Sequence, residues 1–215
     1  MKDRIALVTG ASRGLGFATA AALGARGAHV VALARTVGGL EELAEVIERS
    51  GGSVTLVPLD ITDDGGLQRM CLAIHERWGR LDLLVHCAVH AAPLGPVPQL
   101  GLKDLDRSLA VNVRATQRLI AMTDPLLRAS AAGTAIFIDD LRARGPFWGS
   151  YGASKAAARA FAEGYAAETV RTAPRVILFA PDPMPTATRA RFFPGEDRSR
   201  LVPCTIEAER LLSLV

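Results

Sequence analysis

The apolar run Ile5-Ala6-Leu7-Val8, the turn Thr9-Gly10-Ala11-Ser12-Arg13-Gly14-Leu15-Gly16 and the helix-forming run Phe17-Ala18-Thr19-Ala20-Ala21-Ala22-Leu23 follow one another without a gap. A strand that passes through glycines directly into a helix is the feature that most restricts this chain. Gly10 can turn the backbone sharply, and Gly14 and Gly16 let main chain come close. The helix start then presents free N–H groups and the positive end of its dipole. Such a turn suits a pyrophosphate. In a chain with 20 glycines the triplet alone is a weak signal, and its position between strand and helix gives it weight.

The same alternation continues along the chain. Strand-like runs are read at Arg4 to Thr9, His29 to Ala34, Ser53 to Leu59, Leu81 to His86, Thr134 to Asp139 and Arg175 to Ala180. Helix-length segments lie near Leu15 to Arg26, Leu40 to Ser50, Gly65 to Trp78, Leu102 to Arg128 and Ser150 to Thr172. This is the pattern of an α/β fold whose parallel sheet is covered by helices on both faces, and right-handed crossovers give the doubly wound order 3-2-1-4-5-6. One domain spanning 1–215 is expected, with no internal repeat or linker. Two irregular segments, 91–101 and 181–200, lie at carboxyl ends of strands, where ligands bind in open α/β sheets, and are read as substrate loops.

Composition excludes several function classes. At 215 residues, 49% hydrophobic and 22% charged, the chain can bury a full core. It has no apolar run long enough to cross a bilayer, so no membrane partner is expected. Met1-Lys2-Asp3-Arg4 leads straight into a strand without a secretory leader, and a cytoplasmic location is expected. Cys71, Cys87 and Cys204 form no CxxC pair, which fits reduced thiols. The net charge is +3, but the basic residues are scattered and almost all arginine, Lys2, Lys103 and Lys155 being the only lysines. With no basic run interleaved with aromatics, no nucleic acid partner is expected. His86, Cys87 and His90 are metal-capable types, but strand alternation sends His86 and Cys87 to opposite faces and no fourth ligand is evident. A buried neutral His and Cys are expected there, and no metal.

A second signal opens the helix after the fifth strand: Tyr151-Gly152-Ala153-Ser154-Lys155. Tyr and Lys four apart share one helical face, where an ammonium beside a phenol lowers its pKa. The T-G-x-x-x-G-x-G turn followed by Y-x-x-x-K resembles the short-chain dehydrogenase/reductase family, over essentially the whole chain to about Thr188. The resemblance implies a single-domain Rossmann fold and a nicotinamide dinucleotide. Gly10, Ser12, Arg13, Gly14, Leu15 and Gly16 would line its phosphates, Asp60 and Ile61 its adenine, and Ala88 its passage across the sheet. It further implies Tyr151 as general acid/base, and Lys155 as ligand of the nicotinamide ribose. Asn112 would hold a water of the proton relay through its backbone, and Thr186 would lie near the carboxamide. A homodimer through the helices Leu102 to Arg128 and Ser150 to Thr172 is implied as well. The second strand ends in Arg35 rather than a carboxylate, and with Arg13 it could chelate a 2'-phosphate, which favours NADP over NAD.

The chain departs from the family's pattern where the chemistry happens. The serine expected after the fifth strand is absent, and matching strand ends places Asp140, or less well Asp139, in its position. An ionised Asp140 cannot donate to a carbonyl oxygen and would raise the tyrosine pKa. The N-N-A-G motif reads His86-Cys87-Ala88-Val89, the P-G after the sixth strand reads Pro181-Asp182, and Glu207 to Val215 looks helical where a final strand is expected, so that strand is read as missing. Two functions remain open. One is hydride transfer between NADP(H) and a small carbonyl or secondary-alcohol substrate, with Tyr151 exchanging the proton. The other is a degenerate relative that binds dinucleotide without turnover, as a scaffold or redox sensor.

Overall fold

Side chains of a strand alternate between the two faces of its sheet, and here both faces are apolar. Ala6 and Val8 point into one buried cluster while Ile5 and Leu7 point into another. The computed structural model describes residues 1–215. Strands β1 (Ile5–Thr9), β2 (His29–Ala34), β3 (Ser53–Pro58), β4 (Leu83–His86), β5 (Thr134–Ile138) and β6 (Arg175–Phe179) form one sheet in the order β3-β2-β1-β4-β5-β6. All five pairings are parallel. The expected order and strand positions hold, with ends within two residues.

The first cluster packs α1 (Gly14–Ala25), α2 (Val37–Arg49) and α8 (Cys204–Leu212) on one face. The second packs α3 (Asp64–Trp78), α5 (Ala115–Arg128) and α6 (Gly149–Glu168) on the other. The order reverses at β1 and β4, which open a crevice at their carboxyl ends. No helix is long and apolar enough to cross a membrane.

Four expectations need correction. The second helix begins at Val37 rather than Leu40, taking in Gly38 and Gly39. Gly39 is there for close approach, since a Cβ on it would lie 2.7 Å from the Ser12 carbonyl oxygen. The long helix Leu102 to Arg128 is not uniform: α4 (Leu102–Ser108) passes through a π-helical turn, Leu109–Arg114, into α5. The 181–200 segment is not wholly irregular, because it folds α7 (Ala187–Phe192) and a 3-10 turn, Arg198–Arg200. The helix expected over Glu207 to Val215 begins earlier, at Cys204, and lies against α1 through Ala208, Leu211 and Leu212.

Candidate active site

One cleft runs across the carboxyl ends of the strands, and the glycine turn forms its floor. Gly10 holds φ at +68°, a conformation that glycine adopts without penalty. A Cβ on Gly16 would lie 2.4 Å from the Gly10 carbonyl oxygen, so turn and helix are in main-chain contact. No side chain caps α1 and its first turn carries no acid. Its leading N–H groups are therefore left for an anion. Ser12, Arg13, Leu15, Ile61 and Ala88 line the same cleft, and the Ala88 N–H is spent on Thr9 Oγ1 at 3.2 Å.

At the end of the cleft beside β2 and β3, Asp60 is the organising group. Burial raises its pKa, but hydrogen bonds from the Thr62 N–H and hydroxyl and from Arg107, 2.8 Å away, prevail and hold it at about 2. Arg35 leans toward the same carboxylate at 3.7 Å with 60% of its side chain exposed. Arg13 is exposed on the glycine turn. Arg107, reached from α4, is a residue that sequence reading missed.

A chain of hydrogen bonds crosses behind the turn. The Thr116 hydroxyl donates to the Asn112 carbonyl at 2.8 Å, so it accepts from His86 Nε2–H at 2.9 Å. His86 Nδ1 then accepts from the Thr9 hydroxyl at 2.8 Å. Burial, seconded by the Lys155 charge, pushes the His86 pKa down to about 3, which keeps the imidazole neutral. The Asn112 side chain, in the π-helical turn, takes the His90 N–H at 2.7 Å and returns a bond to the His90 carbonyl at 2.9 Å. It also donates to Ser154 Oγ on α6.

At the opposite end Tyr151, Lys155 and Arg159 follow one another at intervals of four along α6. The Tyr151 hydroxyl donates to Asp140 Oδ2 at 3.1 Å. Lys155 Nζ makes its hydrogen bond to the Ile138 carbonyl at 2.5 Å rather than to the phenol. The expected lowering of the tyrosine pKa is therefore reversed, because burial and then the Asp140 charge and hydrogen bond raise it. Burial lowers the Lys155 pKa against the pull of Asp139 and Asp140. Asp139 pairs with Arg159 at 2.6 Å, with only 7% and 12% of the two side chains exposed. Asp139 Oδ1 also accepts the Asp140 N–H at 2.8 Å, so the ion pair sits directly behind Asp140. Arg159 was not singled out from sequence, although its position on the Tyr151–Lys155 face was readable.

The substrate wall is aromatic. The Phe192 ring of α7 stands 4.8 Å from that of Tyr151 and 5.7 Å from that of Trp148. With this cover Tyr151 is only 4% exposed. Thr186 does not reach across the cleft with its hydroxyl; its Oγ1 accepts from the Arg189 N–H and caps α7, while its methyl faces Gly14. Val89 lines the cleft and is 37% exposed. Asp182 is held by Arg142 at 3.3 Å.

The family model of the short chain dehydrogenases matches residues 4–197. A fatty acyl-CoA reductase of Acinetobacter baylyi is 30% identical over 174 residues, which are 80% of this chain and 59% of that protein. The chain thus spans about three-fifths of that relative. A solved short chain dehydrogenase of Shigella flexneri complexed with NADP superposes with a TM-score of 0.89 at 31% identity, covering 95% of this chain and 87% of that one. One of Escherichia coli complexed with NADPH has the same score and identity, covering 100% and 89%. With a six-stranded 3-2-1-4-5-6 sheet and a glycine turn facing a Tyr-x-x-x-Lys helix across its crevice, the chain belongs to the short-chain dehydrogenase/reductase family.

Proposed function

We propose that this protein is an NADP(H)-dependent oxidoreductase that moves hydride between the nicotinamide and a carbonyl or secondary-alcohol carbon of a small molecule, with Tyr151 exchanging the proton. The observation that carries the reading is that the uncapped start of α1 opens into the same cleft as Tyr151 and Lys155. The turn fits the cofactor because the close contact of Gly10 and Gly16 leaves main-chain donors, not side chains, facing the phosphates. The nicotinamide supplies the hydride chemistry when bound. Arg13 and Arg35 would hold the 2'-phosphate with their guanidiniums, with Arg107 neutralising Asp60 beside Arg35. Lys155, now on the Ile138 carbonyl, would hold the nicotinamide ribose with its ammonium. Tyr151 donates its proton to the developing alkoxide, and Asn112 holds the loop after β4 in place.

NADPH fluorescence titration and a panel of ketones test the reading. Tyr151→Phe should keep NADPH affinity and lower kcat by about 100-fold or more. Unchanged turnover would remove Tyr151 from the chemistry. Arg35→Asp should weaken NADPH and favour NADH, because a carboxylate there repels the 2'-phosphate. An unchanged preference would leave NADP without support.

A second reading is favoured by one observation: the phenol's hydroxyl donates its hydrogen bond to Asp140 and its ring lies under Phe192. In that reading the protein binds the dinucleotide without turnover, as a scaffold or redox sensor. Tight NADPH binding with no reduction across the panel would select it.

A further inference from the structure

At the substrate end of the cleft each of three arginines already has an acid. Arg159 is paired with Asp139, Arg142 with Asp182 and Arg189 with Glu196. Only Asp140 is left without an ion-pair partner among the side chains that face Tyr151. Its Oδ1 accepts the Arg142 N–H at 3.1 Å and its Oδ2 accepts the Tyr151 hydroxyl. A carboxylate oxygen has two lone pairs, so each of these oxygens keeps one free. Lys155, bound to the Ile138 carbonyl, is near enough to feel the Asp140 charge, and the phenol that Asp140 accepts from is flanked by the rings of Phe192 and Trp148, which line the same cleft. A carboxylate next to aromatic faces is the combination that recognises an alkylammonium.

Resting on the oxidoreductase reading above, we propose that the substrate is a cationic carbonyl compound, an α-aminoketone in its protonated form, whose ammonium is taken by Asp140 while its carbonyl oxygen meets the Tyr151 hydroxyl. Two observations carry this independently: the unpaired Asp140 and the aromatic wall beside it. The spacing fits. Asp140 Oδ2 and Tyr151 Oη are 3.1 Å apart, so neighbouring groups on one substrate can each meet one of them. The ammonium displaces the phenol from the carboxylate, and the phenol's proton then faces the carbonyl. The carboxyl that replaces the usual serine stops being a misplaced acceptor and becomes the determinant of selectivity.

The reaction balances without a further reactant. Hydride from NADPH adds to the ketone carbon, the C=O π pair becomes an alkoxide, and that alkoxide takes the Tyr151 proton. The products are a vicinal amino alcohol and NADP+, and Tyr151 regains a proton from solvent.

The test compares α-aminoacetophenone with α-hydroxyacetophenone, close in size and differing in charge, as substrates of the full chain with NADPH at mildly acid pH. Calorimetry of phenethylammonium against phenylethanol on the NADP+-loaded protein provides a readout without turnover. The amino compound should be reduced with about tenfold or higher kcat/KM, and phenethylammonium should bind about tenfold tighter. In Asp140→Ser and Asp140→Asn both ratios should fall toward one, with the serine variant gaining on the neutral ketone. A preference for the hydroxy compound, ratios that survive both substitutions, or equal binding of the cation and the alcohol would overturn the proposal. NADPH binding with no reduction of either compound would overturn it too. Failure of NADPH to bind at all would instead remove the oxidoreductase reading on which it rests.

Discussion

Arg159→Met is expected to cost about 3–5 kcal/mol of folding stability, because it strands the Asp139 carboxylate at a site where water cannot replace the guanidinium. With side chains only 7% and 12% exposed and 2.6 Å apart, the pair gives neither partner an alternative in solvent. For a chain of this size the loss corresponds to a melting temperature lower by roughly 10 °C. Chemical denaturation checks the value, and the double variant Asp139→Asn/Arg159→Met should recover most of it, since the amide oxygen still accepts the Asp140 N–H without a buried charge. A cost below about 1 kcal/mol for the single variant would mean the pair is hydrated. The single variant should also loosen Asp140, whose backbone hangs on Asp139 Oδ1.

The Gly16→Ala variant should lose NADPH binding altogether. The added methyl would lie 2.4 Å from the Gly10 carbonyl oxygen and 2.9 Å from its carbon, and neither atom belongs to a side chain that can swing away. Overpacking of this kind costs about 1–3 kcal/mol, and relief comes only by pushing α1 off the turn whose amides would bind the phosphates in the proposed function. Gly38→Ala is the control. A Cβ there meets nothing within 4 Å, and within α2 the change should stabilise by about 0.5–1 kcal/mol. Fluorescence titration of both variants decides, and NADPH affinity in Gly16→Ala equal to the parent's would remove the turn from cofactor binding.

Six strands were legible because each face of the sheet is buried, so that every strand is a short apolar run bounded by turn residues. The glycine turn and Tyr151–Lys155 were legible because both are local. What sequence hid was set by close approach or by partners distant in the chain. The start expected at Leu40 left out the first turn of α2, where the close contact of Gly39 with Ser12 explains the glycine. The π-helical turn around Asn112 has no signature in the apolar pattern, and the Thr116 hydroxyl that takes up its Asn112 carbonyl is a single polar contact within the helix. The Asp139–Arg159 pair joins the end of β5 to the third turn of α6. The direction of the Tyr151 pKa depended on burial first, and then on an Asp140 turned to the phenol.

The line of hydrogen bonds from Ala88 through Thr9, His86 and Thr116 to Asn112 ties β1, β4 and the α5 side of the cleft into one brace. Its donors and acceptors all point one way, so no link can lengthen without leaving a buried polar atom bare. That wall is a fixed jamb. Movement of the cleft is therefore expected at the facing wall, where α7 lies over Tyr151 through ring contacts and a Thr186 cap.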